Sequence, residues 1–187
     1  MKRVFVLLLL LISAVATAGT DMPKDSTYQL KVELTDQAGH TWPLSSRSGR
    51  VQLVSMFYTS CTMVCPMIVD TMQITDNALD EPSRARMDML LVSFDPARDS
   101  VDALRQYAER RKLHAPAWTL ARVSAQDARQ LAALLGLQYR QLPGGDFNHS
   151  SELILLDAEG RLIARTSIIG RADPEFVAAV RKATAGP

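Results

Sequence analysis

The sequence predicts an α/β domain with a mixed central β-sheet flanked by helices, and three observations carry that prediction. VQLVSMFY (51–58) and DMLLVSF (88–94) are nearly continuous apolar stretches, as central strands buried on both faces would be. Each is followed by residues with helical spacing. Later, ELILLD and RLIARTS flank a turn at Ala158-Glu159-Gly160 and read as a β-hairpin.

In chain order, a polar lead-in at 19–27 precedes YQLKVEL, whose alternation predicts a half-buried strand over 28–34. TDQAGHTWPL turns through Gly39 into a second short strand, an N-terminal β-hairpin extension of the sheet. After the first central strand, Val64, Met67, Ile68, Met72 and Leu79 keep helical spacing, so Met67 is expected in the core. Pro66 falls in the first turn, where its N–H would be unpaired anyway. Behind the second central strand, Asp99 or Ser100 can cap a helix that turns Val101, Leu104 and Tyr107 inward. Ser124 to Asp127 forms a capping box for a third helix, which Gly136 closes. DPEFVAAVRKA (173–183) is the last helix, with Pro174 in its first turn. Strands joined by helices, then a hairpin and one more helix, follow the thioredoxin-like order.

The 187 residues suit one domain, expected over 28–185. The opening MKRVFVLLLLLISAVATA places two basic residues before an apolar run and an Ala-Thr-Ala cleavage pattern, the form of a secretory signal peptide over 1–18. No cysteine follows the cleavage point to take a lipid anchor, so the protein is expected in the periplasm. Without Lys2 and Arg3 the chain holds 19 basic residues against 20 acidic ones, a balance that argues against nucleic acid as a partner.

Chemistry concentrates in MFYTSCTMVCPM (56–67), which holds both cysteines of the chain, Cys61 and Cys65. A bridge between them would close a loop worth only about 2 kcal/mol, against about 3 for fifteen residues. Residues four apart at a helix start share one face, close enough to bridge or to hold one ion. The strand before them ends where open α/β folds keep their sites, and a helix N-terminus favours thiolates. Spacing leaves a redox couple and a metal clamp both open. Among the three histidines, His40 and His114 read as surface residues, whereas His149 stands directly before the buried ELILLD. Two thiolates and an imidazole suit Cu(I) in a low-coordinate site, while zinc would want a fourth donor. Met63 and Met67 lie near enough in sequence to assist a soft metal.

Three segments together resemble the Sco/SenC family of copper chaperones: CxxxCP at Cys61, Cys65 and Pro66 after FYT; SFDPARDS (93–100), similar to S-x-D-P-x-R-D-T; and His149-Ser150 ahead of ELILLDAEG. The resemblance implies a thioredoxin-like fold that binds one copper ion, Cu(I) or Cu(II), through Cys61, Cys65 and His149. It also implies delivery of copper, or of reducing equivalents, to the dinuclear copper centre of cytochrome c oxidase during assembly. The implied partners are the copper-acceptor subunit of that oxidase, or another periplasmic copper protein, and a thiol-disulfide reductant; the protein itself is expected as a monomer. Asn148 departs from the family, which usually carries Asp there. Asp95 and Asp99 match family acidic positions, and their ordinary roles would be a turn and a helix cap. Asp95 could support a ligand from behind.

The competing reading is a periplasmic thiol-disulfide oxidoreductase. Redox proteins of this fold generally use CxxC facing a cis-proline, and neither CxxxC nor NHSSEL has that form. A thiol peroxidase would not require a fixed second cysteine.

Overall fold

The computed structural model describes residues 22–185, so the predicted signal segment at 1–18 lies outside them. The chain makes a 3₁₀ turn at Thr27–Gln29, then β1 (Glu33–Asp36), β2 (Thr41–Pro43), a second 3₁₀ turn at Leu44–Arg47, β3 (Val51–Phe57), α1 (Val64–Asn77), α2 (Glu81–Ala85) and β4 (Met87–Ser93). It continues through α3 (Val101–Arg111), β5 (Trp118–Arg122), α4 (Ala125–Leu135), β6 (Tyr139–Gln141), β7 (Phe147–His149), β8 (Leu153–Leu156), β9 (Leu162–Thr166) and α5 (Pro174–Thr184). Seven strands form one mixed sheet in the order β2-β1-β5-β4-β3-β8-β9, while β6 and β7 pair with each other alone. The thioredoxin-like α/β class and the N-terminal hairpin extension are both as predicted.

The centre of the sheet follows directly from sequence. All seven residues of β3 and all seven of β4 are buried, and the two strands pair in parallel from Val51–Met87 to Phe57–Ser93. Equal lengths in matched register release both chains at the same sheet edge. The segment with the cysteines and the segment with Asp95 and Asp99 therefore leave side by side. On the other flank of β3, β8 runs antiparallel and starts just after His149. One sheet edge thus gathers all three motifs.

Several local expectations change. The strand predicted over 28–34 begins only at Glu33, because Tyr28 is committed to the 3₁₀ turn. That turn is docked: the Thr27 N–H donates to the Gly160 carbonyl at 2.8 Å, and Ser26 and Thr27 are buried. The apolar alternation there marks packing rather than strand register. Met67 is not in the core but 46% exposed, since Cys65, Ile68, Val69 and Met72 form the inward face of α1. Ser100 caps α3 by accepting the Ala103 N–H at 3.1 Å; Asp99 is fully buried and serves elsewhere. Sequence reading missed β5, the one-turn α2 and the β6–β7 hairpin. Each is five residues or fewer per element, too short for a periodic pattern.

Gly160 has φ +80°, and a Cβ there would stand 2.5 Å from the Tyr28 ring. Gly160→Ala must strain the backbone and displace the docked turn, a loss of about 1–3 kcal/mol. A lower urea midpoint with unchanged slope is the expected result. An unchanged midpoint would contradict the docking of the N-terminal turn.

Candidate metal centre

The site begins with a brace. Asp99, fully buried, accepts hydrogen bonds from the Thr59 N–H at 3.1 Å, from the Thr59 hydroxyl and from the Ser93 hydroxyl. These donors sit just past β3 and at the end of β4, so one carboxylate ties the two strand exits together. Burial pushes the Asp99 pKa up, and the three donated hydrogen bonds counter part of that push.

The cysteine segment leaves from Thr59. Met63 stands at the N-cap of α1 without a side-chain hydrogen bond, so the first-turn N–H groups look for another acceptor. Cys61 supplies it: its Sγ accepts the Cys65 N–H at 3.3 Å. Both cysteines are free thiols; Cys65 is fully buried and Cys61 is 8% exposed. Burial raises the Cys61 pKa, but hydrogen bonds from the Cys65 and Met63 backbone and from the Cys65 and Tyr58 side chains outweigh it, leaving the thiol below its ordinary value. Cys65 shifts the opposite way, raised chiefly by burial and further by the neighbouring Cys61. The pair is therefore asymmetric, with Cys61 the readier thiolate.

His149 lies on β7, not in the loop that its Gly144-Gly145 neighbours suggest, and pairs across the hairpin with Tyr139. Its Nδ1 donates to the Ser150 carbonyl at 2.8 Å, which assigns the proton to that nitrogen. Nε2 is left with its lone pair facing Cys65 Sγ at 3.6 Å. Burial lowers the His149 pKa, so the neutral ring that can ligate a metal is favoured. Aromatic side chains hold the ring: Phe94 at 5.0 Å between centroids, Tyr58 edge-on at 6.0 Å, with Tyr139 stacked behind Phe94 at 4.8 Å.

The ligand atoms of Cys61, Cys65 and His149 all lie within 4.8 Å of one another, the one such cluster among the described residues. Protein sulfur and imidazole ligands bind transition metals at about 2.0–2.3 Å, so donors around one ion stand up to about 4.6 Å apart. The cluster needs only a small contraction to close on an ion. His40 and His114 are exposed and outside it, as predicted. Met63 is 80% exposed. Asp95 is buried and pairs with Arg98 rather than with Cys61, Cys65 or His149. The aromatic wall and the Arg98 pairing escaped sequence reading. The Pro-Gly-Gly-Asp turn between Tyr-Arg-Gln and Phe-Asn-His was the available signal for the hairpin.

Fold and site together define a thioredoxin-like protein with a thiol pair and an imidazole converging at one sheet edge. The SCO1/SenC family model matches residues 20–185, and the chain belongs to that family. A Stutzerimonas stutzeri protein, provisionally named as copper-binding, is 25% identical over 138 residues, which are 71% of this chain and 65% of that protein. The SCO2-like protein of Rickettsia conorii is 26% identical over 139 residues, 70% of this chain and 65% of its own length. The chain thus spans just under two thirds of these curated relatives. Copper-bound ScoI of Bradyrhizobium japonicum shares the fold with TM-score 0.68 at 20% identity, covering 81% of this chain and 96% of that one. Copper-bound yeast Sco1 does so with TM-score 0.64 at 21% identity, covering 81% and 83%.

The thiol asymmetry gives a direct expectation. Between pH 7 and 8, iodoacetamide should modify Cys61 first and leave Cys65 largely unreacted, because only thiolate attacks and Cys61, the less deeply buried of the two, is the one lowered in pKa. Peptide mapping after timed quenching reads the order. Equal rates, or Cys65 ahead, would refute it.

Proposed function

We propose that this chain is an exported copper-binding protein that takes one copper ion, as Cu(I) or Cu(II), on Cys61, Cys65 and His149. It passes copper, or reducing equivalents, to the dinuclear copper centre of cytochrome c oxidase during assembly. One observation carries the reading: two sulfurs and an imidazole Nε2 converge within 4.8 Å, with the other ring nitrogen already engaged by a carbonyl. Thiolate and imidazole form a soft donor set that suits copper, and three donors without a fourth suit a cargo ion that must leave again. Family membership and the copper-bound neighbours support the same ion. Residues 1–18 act in this reading as a cleaved signal peptide and 28–185 as the working domain, a periplasmic monomer. Among the described residues no helix is long and apolar enough to cross a membrane.

A second reading rests on the acidity difference between the thiols. A thiol-disulfide oxidoreductase would use Cys61 as nucleophile on a partner disulfide and Cys65 to resolve the mixed disulfide. Reduced protein turning over disulfide substrates without binding copper would favour it.

The copper reading is tested by titrating reduced protein. About one equivalent should bind, and Cys61→Ser or Cys65→Ser should each lose most of the affinity. His149→Ala should keep much of its Cu(I) affinity, because two thiolates can hold Cu(I) nearly linearly, and lose far more for Cu(II), which prefers nitrogen. Undiminished binding by both cysteine variants would refute the site. Wild-type affinity of His149→Ala in both oxidation states would remove the imidazole from it.

A further inference from the structure

Among the described residues, only β6 pairs with the strand that carries His149, and the two form a sheet separate from the main one. Three backbone pairs in so small a hairpin hold little by themselves. Ring contacts pack its inner face on the domain: Tyr139 and Phe147 stand 4.8 and 5.1 Å from Phe94 between centroids, and Phe147 5.1 Å from Tyr58. One guanidinium adds a polar tie at the hairpin turn. Arg98 binds the buried Asp95 carboxylate through Nε, and its Nη2 donates to the Gly145 carbonyl at 2.6 Å, in the hairpin turn. Its Cζ stands 5.7 Å from the centre of the Tyr58 ring and 5.6 Å from that of Phe147. Tyr58 follows β3, and Phe147 lies two residues before His149. The Phe147 N–H also reaches the Tyr58 hydroxyl at 3.5 Å. A planar, five-donor cation can make the forked bond and both ring contacts at once, which an ammonium cannot.

We infer that Arg98 is a positioning residue that latches the β6–β7 hairpin onto the domain and thereby sets the distance from His149 to the cysteines. Its partners are Asp95, Gly145, Tyr58 and Phe147, not the cysteines or His149. With the latch released, the hairpin turn loses its tie to the Asp95 loop, and the site falls back toward two thiolates. This inference rests on His149 being a copper ligand as proposed above.

The test compares Arg98→Gln and Arg98→Lys in the full chain, each with and without His149→Ala. Amide hydrogen exchange before copper is added reads the latch itself. Residues 139–149 should exchange faster in Arg98→Gln, while β3 and β4 keep their protection. Cu(II) affinity, followed by thiolate-to-copper charge transfer, should fall about 10–100-fold, the usual cost of removing support from behind a metal ligand. Cu(I) affinity, by chelator competition, should fall far less. Arg98→Lys keeps the charge beside Asp95 but loses the fork, so it should lie between, and it carries the test if Arg98→Gln does not fold. In the His149→Ala background, Arg98→Gln should cost no further Cu(II) affinity, because the residue acts through the imidazole. Unchanged exchange in the hairpin, or an equal further loss in the His149→Ala background, overturns the inference. Wild-type affinity of His149→Ala alone overturns the ligand assignment instead, and the exchange measurement then decides the latch by itself.

Discussion

A buried carboxylate governs the geometry of this site. Asp99 takes two hydrogen bonds from Thr59 and one from Ser93, which follow or end the two central parallel strands. Without it, the exits of β3 and β4 would keep their ladder and the Tyr58–Phe94 ring contact but lose the polar tie at the point where the cysteine segment leaves the sheet. The cost of burying the group is visible in its raised pKa, and three donors are what make that cost bearable. Everything nearer the ligands is built on this brace: Cys61 at the entrance of α1, Cys65 one turn in, and the Asp95–Arg98 pair one step along the adjacent loop.

The three candidate ligands are prepared by backbone rather than by charged side chains. The Cys65 N–H, in a first turn that lacks a side-chain cap, and the Met63 N–H converge on the Cys61 sulfur, so the same geometry that ends the loop also stabilises a thiolate. The Ser150 carbonyl fixes the His149 tautomer in the same economical way. Such a site needs little rearrangement to accept an ion. It also gives an ion few reasons to stay, since no fourth His, Cys, Asp or Glu joins the set among the described residues. In the proposed carrier role, that balance would suit release as well as capture.

The parts legible in sequence were those with long or motif-bound signals. Seven-residue apolar strands, Pro66 in the first turn of α1, Ser124 and Gly136 at the ends of α4 and Pro174 at the start of α5 all read correctly because local chemistry determines them. What sequence could not supply was tertiary. Asp99 occupies a plausible cap position, yet Ser100 takes the cap because the Asp99 carboxylate is claimed by a residue forty positions earlier. Met67 keeps helical spacing but lies on the solvent side, since Cys65 and Ile68 already fill the inward face. His149 looks like a loop residue until the pairing with Tyr139 is seen. Arg98 stood within a recognised motif, but its four contacts come from three separate segments.

The central claim is that copper is held by both sulfurs and the imidazole together. X-ray absorption at the copper edge, on full-length protein loaded with one equivalent of Cu(II), tests it most directly. Two sulfur atoms and one imidazole nitrogen should be bonded to copper, with the nitrogen signal lost in His149→Ala. A spectrum with one sulfur or none, or an imidazole signal that survives the histidine substitution, would contradict it.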